Sequence, residues 1–267
     1  MLIRTATGIV FIVLVIGSVL LHQFAFAAVI GFFLVLSVNE WLALASKSDI
    51  QLNPPLMYAM SLLVFISFVI FKNSDIPLIL ITLVFLPLIA FVVLHTVKQH
   101  TLKSMAATVF GVIYLALPMG LLVLMHGLYG YRKEGFLIIA MFSMIWAYDT
   151  LAFVSGKLFG KHKLFERISP SKTWEGFIGG ALLTFILTLL VNWLFLGIDI
   201  WIVAGAVLLI VIFSTVGDLF ESALKRNAGV KDSGTLFPGH GGVLDRFDSV
   251  YFVVLPYFCY VFLTLKY

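Results

Sequence analysis

The chain has 267 residues, of which 62% are hydrophobic and only 11% charged, with a net charge of +4 and a mean hydropathy of +1.12. Soluble domains carry charge on about a quarter of their residues, so this composition excludes a soluble globular protein and points to a membrane protein with many spans. One cysteine, Cys259, excludes an internal disulfide, and the lack of a basic stripe interleaved with aromatics excludes nucleic acid as a partner.

The first apolar run, 6–21, follows Arg4 and has the look of a signal peptide, but the segments after it are equally hydrophobic, so it is read as a retained span. Further runs follow at 25–45, 56–71, 76–95, 105–126, 135–155, 177–197, 201–224 and 249–265, separated by short polar breaks. The expected fold is therefore all-α, a polytopic transmembrane bundle of about nine spans. Residues 1–267 read as a single integral membrane domain, with 1–130 as scaffold spans and the contact surface for a second subunit, and 131–267 as catalytic spans and cytosolic loops. Glu40, beside Asn39 and Trp41, is the main ionisable residue within the first five runs, and is expected near an interface with a structural or lipid-headgroup role. Pro87, Pro118 and Pro256 fall inside expected spans and read as architectural kinks.

With nine spans, the N-terminus and the connections after spans 2, 4, 6 and 8 share one side of the bilayer, and that side carries 13 of the 17 Lys and Arg residues. The positive-inside rule makes it the cytoplasm, with the C-terminus on the opposite side. Both charge-rich connections, after spans 6 and 8, then face cytosolic nucleotides. Lys157, Lys161, Lys163 and Arg167 read mostly as topology markers or contacts with anionic lipid.

Nine charged residues crowd between Asp218 and Asp248. Helical spacing puts Asp218, Glu221, Ser222 and Lys225 on one face at the end of span 8, a costly stripe in hydrocarbon unless it lines a polar cavity or forms an interhelical ion-pair cluster. Lys231 and Asp232 lead into a loop with Gly234, Gly239, Gly241 and Gly242 around His240. Such glycines can present backbone amides to phosphate oxygens, although a plain turn has the same composition. His240 reads either as a phosphate contact or as an organiser of the loop, and the other five histidines have no metal-ligand spacing. Asp245 and Asp248 are three apart, so a helix starting there turns both carboxylates one way and Arg246 aside. Hard oxygen ligands of this kind suit Mg²⁺. A second cluster joins Asp149, within span 6, to Ser169, Ser171, Lys172 and Thr173 ahead of span 7, where hydroxyls and a cation at a helix start suit an anion, or make an ordinary cap with Glu175 in the first turn.

The run Ser222-x-Leu-Lys225-Arg226-x4-Lys231-Asp232-x-Gly234-x2-Phe237-Pro238-x-His240-Gly241-Gly242-Val243-x-Asp245-Arg246-Phe247-Asp248 resembles, over all 27 of its residues, the signature of the phosphatidate cytidylyltransferases, or CDP-diglyceride synthetases. Ser169-Pro170-x-Lys172-Thr173-x-Glu175-Gly176 and the Asp149 region are similar to the same family's upstream block. Where many of that family have Tyr near the end of span 6, this chain has Phe153, which offers no hydroxyl. The resemblance implies transfer of a cytidylyl group from CTP to phosphatidate, giving CDP-diacylglycerol and pyrophosphate, at the cytosolic face of a bacterial inner membrane and in a homodimer. It further implies Asp218, Asp245, Asp248 and Asp149 around Mg²⁺ or Mn²⁺, with a monovalent cation beside it left open. Lys172, Lys225, Arg226 and Lys231 would neutralise phosphates, with Ser169, Ser171, Thr173, Ser222, His240, Gly241, Gly242 and Arg246 as further substrate contacts. Two other readings stay open: a CTP-dependent lipid kinase, which releases CDP, and a transporter, which moves lipid or ions without consuming CTP.

Overall fold

The computed structural model describes residues 2–70, 91–96, 101–127, 134–237, 239 and 241–265. Among the described residues its regular elements are helices apart from one short hairpin and an isolated bridge between Phe237 and Gly241. In chain order the elements are α1 (Leu2–Leu21), α2 (Gln23–Lys47), α3 (Pro54–Ile70), α4 (Thr101–His126), α5 (Phe136–Phe159), β1 (Lys163–Phe165), β2 (Ser169–Thr173), α6 (Trp174–Val191), α7 (Ile200–Asn227) and α8 (Leu244–Thr264). A helical turn at 91–96 lies in the run expected at 76–95, and the rest of that run, Pro87 included, lies outside the described residues. Among the described residues six helices are long and apolar enough to cross a membrane: α2, α4, α5, α6 with its extension to Leu196, α7 and α8. Two shorter apolar helices, Thr7–Leu21 and Pro54–Ile70, match the runs expected at 6–21 and 56–71.

Local chemistry sets the helix ends. His22 caps α2, its Nδ1 accepting the Phe24 amide at 3.2 Å. Asn53 caps α3 through the Leu56 amide at 3.0 Å, and Pro54 fills the first helical position, where its missing N–H costs nothing. After Val191 the chain widens into a π-helical turn, Asn192–Leu196, closed by Gly197 at φ 64°. Asn192 brackets that turn by accepting the Ile198 amide at 2.9 Å and donating to its carbonyl at 2.8 Å. Beyond α7, Gly229 takes φ 66° and Val230 donates to the Lys225 carbonyl at 2.9 Å, a C-terminal closure that glycine makes without a Cβ clash.

The chain forms two compact units. The first holds α1 to α4 and the segment 224–247, which the sequence grouped with the catalytic half. Here α2 packs on α1, α3 and α4, and α3 on α4. Close approach is built from aromatics over glycine: the Trp41 indole lies on Gly111 and the Phe68 ring on Gly120. His126 reaches the Val19 carbonyl at 2.8 Å and stacks on Phe26. Phe11, Phe33 and Phe247 pack in an aromatic cluster, with Phe247 centroids 5.3 Å from both partners and Phe237 at 5.9 Å from Phe11.

The second unit holds α5, the hairpin, α6, α7 as far as Ala223, and α8 from Asp248 onward. Its tightest contact is α5 on α6, where Ala152 and Gly156 face Gly176 and Gly180. A Cβ added at Gly180 would sit 2.6 Å from the Ala152 Cβ, so this is a small-residue seam of the kind that lets helix backbones approach in membranes. Gly217 plays the same part for α7, its missing Cβ leaving room for the Asp248 carbonyl and the Ser249 Cα.

Candidate active site

Two expected helix starts fall earlier in the structure, and each shift moves site residues. Span 7, expected from 177, begins at Trp174, and the hydroxyl-rich approach to it is the strand β2, paired antiparallel with β1 through Lys163 with Thr173 and Phe165 with Ser169. Thr173 is buried and caps α6, its Oγ1 accepting the Gly176 amide at 3.1 Å. Glu175 reaches across the hairpin: it accepts the Lys161 amide at 3.0 Å, the His162 amide at 3.2 Å, and contacts His162 Nδ1 at 2.6 Å. Ser169 and Lys172 are half-buried on β2, and Ser171 is exposed. The last span, expected from 249, begins at Leu244, which puts Asp245 in the first turn of α8 and Asp248 just after it.

Within the second unit the structure brings together Asp149, Lys172, Asp218, Ser222 and Asp248. Lys172 Nζ is paired to Asp218 Oδ2 at 2.5 Å, with the two side chains 25% and 34% exposed. Ser222 donates to Asp218 Oδ1 at 3.3 Å, one helical turn along α7. Asp218, Asp149 and Lys172 are charged neighbours of Asp248, whose Oδ1 accepts the Ser249 amide at 2.6 Å. Below this group Tyr148 lies 2.6 Å from Thr215 Oγ1. Thr215 spends its own proton on the Val211 carbonyl at 2.9 Å, so Tyr148 is the donor. In the same unit a cavity of about 290 Å³ lies among α5, α6, α7 and α8, walled mainly by apolar residues including Met144, Ala147, Val203, Ala206, Tyr257 and Val261.

The first unit holds a second polar group. Lys225 donates to Asp245 Oδ1 at 2.6 Å, and Asp245 Oδ2 accepts the Ser233 amide, the Ser233 hydroxyl and the Gly242 amide, each at 2.8 Å. Arg226 is exposed and donates to the Val230 carbonyl at 3.3 Å. Lys231 and Asp232 are exposed. Gly241 has φ 78° and its carbonyl accepts the Phe237 amide at 2.9 Å. Arg246 has its Nε shielded from solvent with no hydrogen-bond partner among the described residues. His240 lies outside the described residues.

The residue that sequence reasoning undervalued is Glu40. It is 9% exposed, and its carboxylate accepts the Val243 amide at 2.8 Å, the Leu244 amide at 2.9 Å and the Ser233 hydroxyl at 2.7 Å. The only signal in the sequence was an acid in an otherwise uncharged apolar run, which carries a functional or structural demand but names no partner. Tyr148 and Thr215 were missed for a similar reason, since a single hydroxyl in an apolar helix has no distinctive spacing.

Among the described residues no three His, Cys, Asp or Glu side chains form a metal-ligating group. The carboxylates of Asp218 and Asp248 are nonetheless hard oxygen donors of the type that Mg²⁺ takes one or two at a time, with water and phosphate completing its shell.

A sequence model of the cytidylyltransferase family matches residues 2–265. The chain belongs to that family. It is 48% identical over 128 residues to a phosphatidate cytidylyltransferase of Staphylococcus aureus, an alignment covering 47% of this chain and 49% of that protein. A phosphatidate cytidylyltransferase of Staphylococcus saprophyticus is 46% identical over 129 residues, 48% of this chain and 50% of its own length. The chain thus spans about half the length of the curated relatives it matches. The cytidylyltransferase family is the one that the 27-residue signature indicated, and six long apolar helices fit an integral membrane protein.

Proposed function

We propose that this cytidylyltransferase family member transfers the cytidylyl group of CTP to phosphatidate, releasing CDP-diacylglycerol and pyrophosphate. The observation that carries this reading is the grouping of Asp149, Lys172, Asp218 and Asp248 on α5, β2, α7 and α8 in a chain that matches the family from 2 to 265. The names of the staphylococcal relatives support the choice of substrate. The apolar cavity along the same helices offers hydrocarbon walls to an acyl chain.

A phosphatidate oxygen is anionic at neutral pH and attacks the α-phosphorus directly, forming the new P–O bond as the bond to the β-phosphate oxygen breaks and pyrophosphate leaves. No proton has to be removed, so the protein's task is positioning and charge neutralisation. Lys172 is drawn to Asp218 and is placed to neutralise an incoming phosphate, while Asp218 and Asp248, with Asp149 beside them, would hold Mg²⁺. The chemistry supplied there by Mg²⁺ would be neutralisation of the charge that develops on the departing pyrophosphate. Nine spans, a cytoplasmic site in a bacterial inner membrane and a homodimer complete the proposal.

The test supplies purified protein in detergent with labelled CTP, phosphatidate and Mg²⁺. CDP-diacylglycerol and pyrophosphate are expected, with about a hundredfold loss or more in Asp218→Asn and Asp248→Asn. Release of CDP with a phosphorylated lipid would replace this reading with a lipid kinase. Full activity in both variants would remove the metal assignment.

A further inference from the structure

The glycine-rich loop invites the reading that its amides bind a substrate phosphate, but the structure shows what several of them do instead. The Gly242 amide serves Asp245, and the Val243 and Leu244 amides serve Glu40. Both acceptors are carboxylates of the chain itself. Gly234 and Gly242 flank the Glu40 carboxylate so closely that a Cβ at Gly234 would lie 2.6 Å from Glu40 Oε1, and one at Gly242 would be closer still. Their lack of a side chain is therefore used for the approach of an internal anion. Ser233 bridges the two carboxylates, its hydroxyl 2.7 Å from Glu40 Oε2 and 2.8 Å from Asp245 Oδ2. Glu40 stands 193 residues before Ser233 and 203 before Val243.

We infer that Glu40 is a positioning residue for the transfer reaction: its buried carboxylate is the internal anion around which Ser233, Gly234 and Gly242 to Leu244 are gathered, and through Ser233 and the start of α8 it holds the Lys225–Asp245 pair in place. The inference rests on the cytidylyl-transfer reading for its catalytic part only. Two amides converge on Glu40 and two on Asp245, the Ser233 hydroxyl between them donates its one proton to either carboxylate, and Phe247 is seated against Phe11 and Phe33, so the segment is fixed by polar and apolar contacts together. Substrate phosphates are then left to side-chain cations rather than to the Gly242, Val243 and Leu244 amides. Removing the charge from Glu40 loosens the segment without deleting any group that meets substrate.

Glu40→Gln keeps the shape but turns one acceptor oxygen into a donor facing amide N–H groups, and Glu40→Asp keeps the charge on a shorter arm. The expected order of kcat is wild type, Asp variant, Gln variant, with a loss of about a hundredfold in the last, as misplacement of catalytic groups produces, and KM for CTP within about threefold. Hydrogen exchange across 233–247 is expected to quicken in the same order, by about tenfold or more in the Gln variant, while 101–126 keeps its wild-type rate. Should Glu40→Gln fail to fold, Glu40→Asp carries both readouts. Wild-type kcat, or wild-type exchange across 233–247, in the charge-removed protein overturns the inference. If the unmutated protein makes no CDP-diacylglycerol yet the Gln variant exchanges faster in that segment, the transfer reading fails and the anchoring role of Glu40 stands.

Discussion

Lys225→Met isolates the energetic weight of the ion pair beside the glycine-rich loop. Lys225 Nζ and Asp245 Oδ1 are 2.6 Å apart, with side chains 13% and 6% exposed, so neither charge can turn to solvent without moving the helix end that carries it. Removing one partner of a buried pair costs about 3–5 kcal/mol, because the other charge is left uncompensated. Asp245 keeps the Ser233 and Gly242 amides on Oδ2, with the Ser233 hydroxyl shared with Glu40, which places the expected loss at the lower end, about 3 kcal/mol, or roughly a hundredfold in the folding equilibrium. Neutralising the acid as well, in Lys225→Met with Asp245→Asn, removes the stranded charge while an amide oxygen still accepts those donors. The double variant should return to within about 1 kcal/mol of the starting protein, which is about 2 kcal/mol above Lys225→Met alone although it carries a second substitution. The assay is unfolding by SDS titration in mixed micelles, followed by tryptophan fluorescence on all four proteins of the cycle. A loss under about 0.5 kcal/mol in Lys225→Met, or strict additivity in the double variant, would refute the view that a desolvated pair orders this segment.

Gly180→Val drives a branched side chain into Ala152, whose Cβ and Cα would lie 2.6 and 2.7 Å from the new Cβ. A lowered thermal midpoint in detergent, corresponding to about 1–3 kcal/mol, is expected as α5 and α6 are forced apart. Thr173→Ala deletes the cap on the Gly176 amide and should cost about 1 kcal/mol, largely restored by Thr173→Ser, read from the same thermal curves. Tyr148→Phe removes one buried donor and leaves Thr215 bonded to Val211, so a loss near 1 kcal/mol is expected, and a neutral result would show that the Tyr148 bond adds nothing net.

Much of the helical pattern was legible because a lipid-crossing segment must satisfy its backbone internally and be apolar over its whole length. The runs at 25–45 and 105–126 therefore mark α2 and α4 to within a few residues. Ends were less legible. Expected to start at 249, α8 starts at Leu244, because Glu40 supplies acceptors for the amides of Val243 and Leu244 that no local side chain announces. The β1–β2 hairpin was hidden as well, since five residues containing two serines, a proline and a lysine have no alternating apolar pattern, and their pairing rests on backbone bonds. Of the site, Asp149, Lys172, Asp218 and Asp248 were readable as ionisable groups in or beside hydrocarbon. Thr173, by contrast, was read both as a substrate contact and as a cap, and only its geometry shows the bond to Gly176.

By itself the sequence determined a membrane setting, a mostly helical chain and the chemical character of the segment from Asp218 to Asp248, because composition and short-range spacing report hydrophobic length and local charge. Tertiary structure alone decided which anion the glycines admit. Gly234 and Gly242 permit a close approach, but whether a phosphate or a carboxylate makes it depends on a helix nearly two hundred residues earlier, and the free energy of burying Glu40 is offset only when the chain has folded its loop around it.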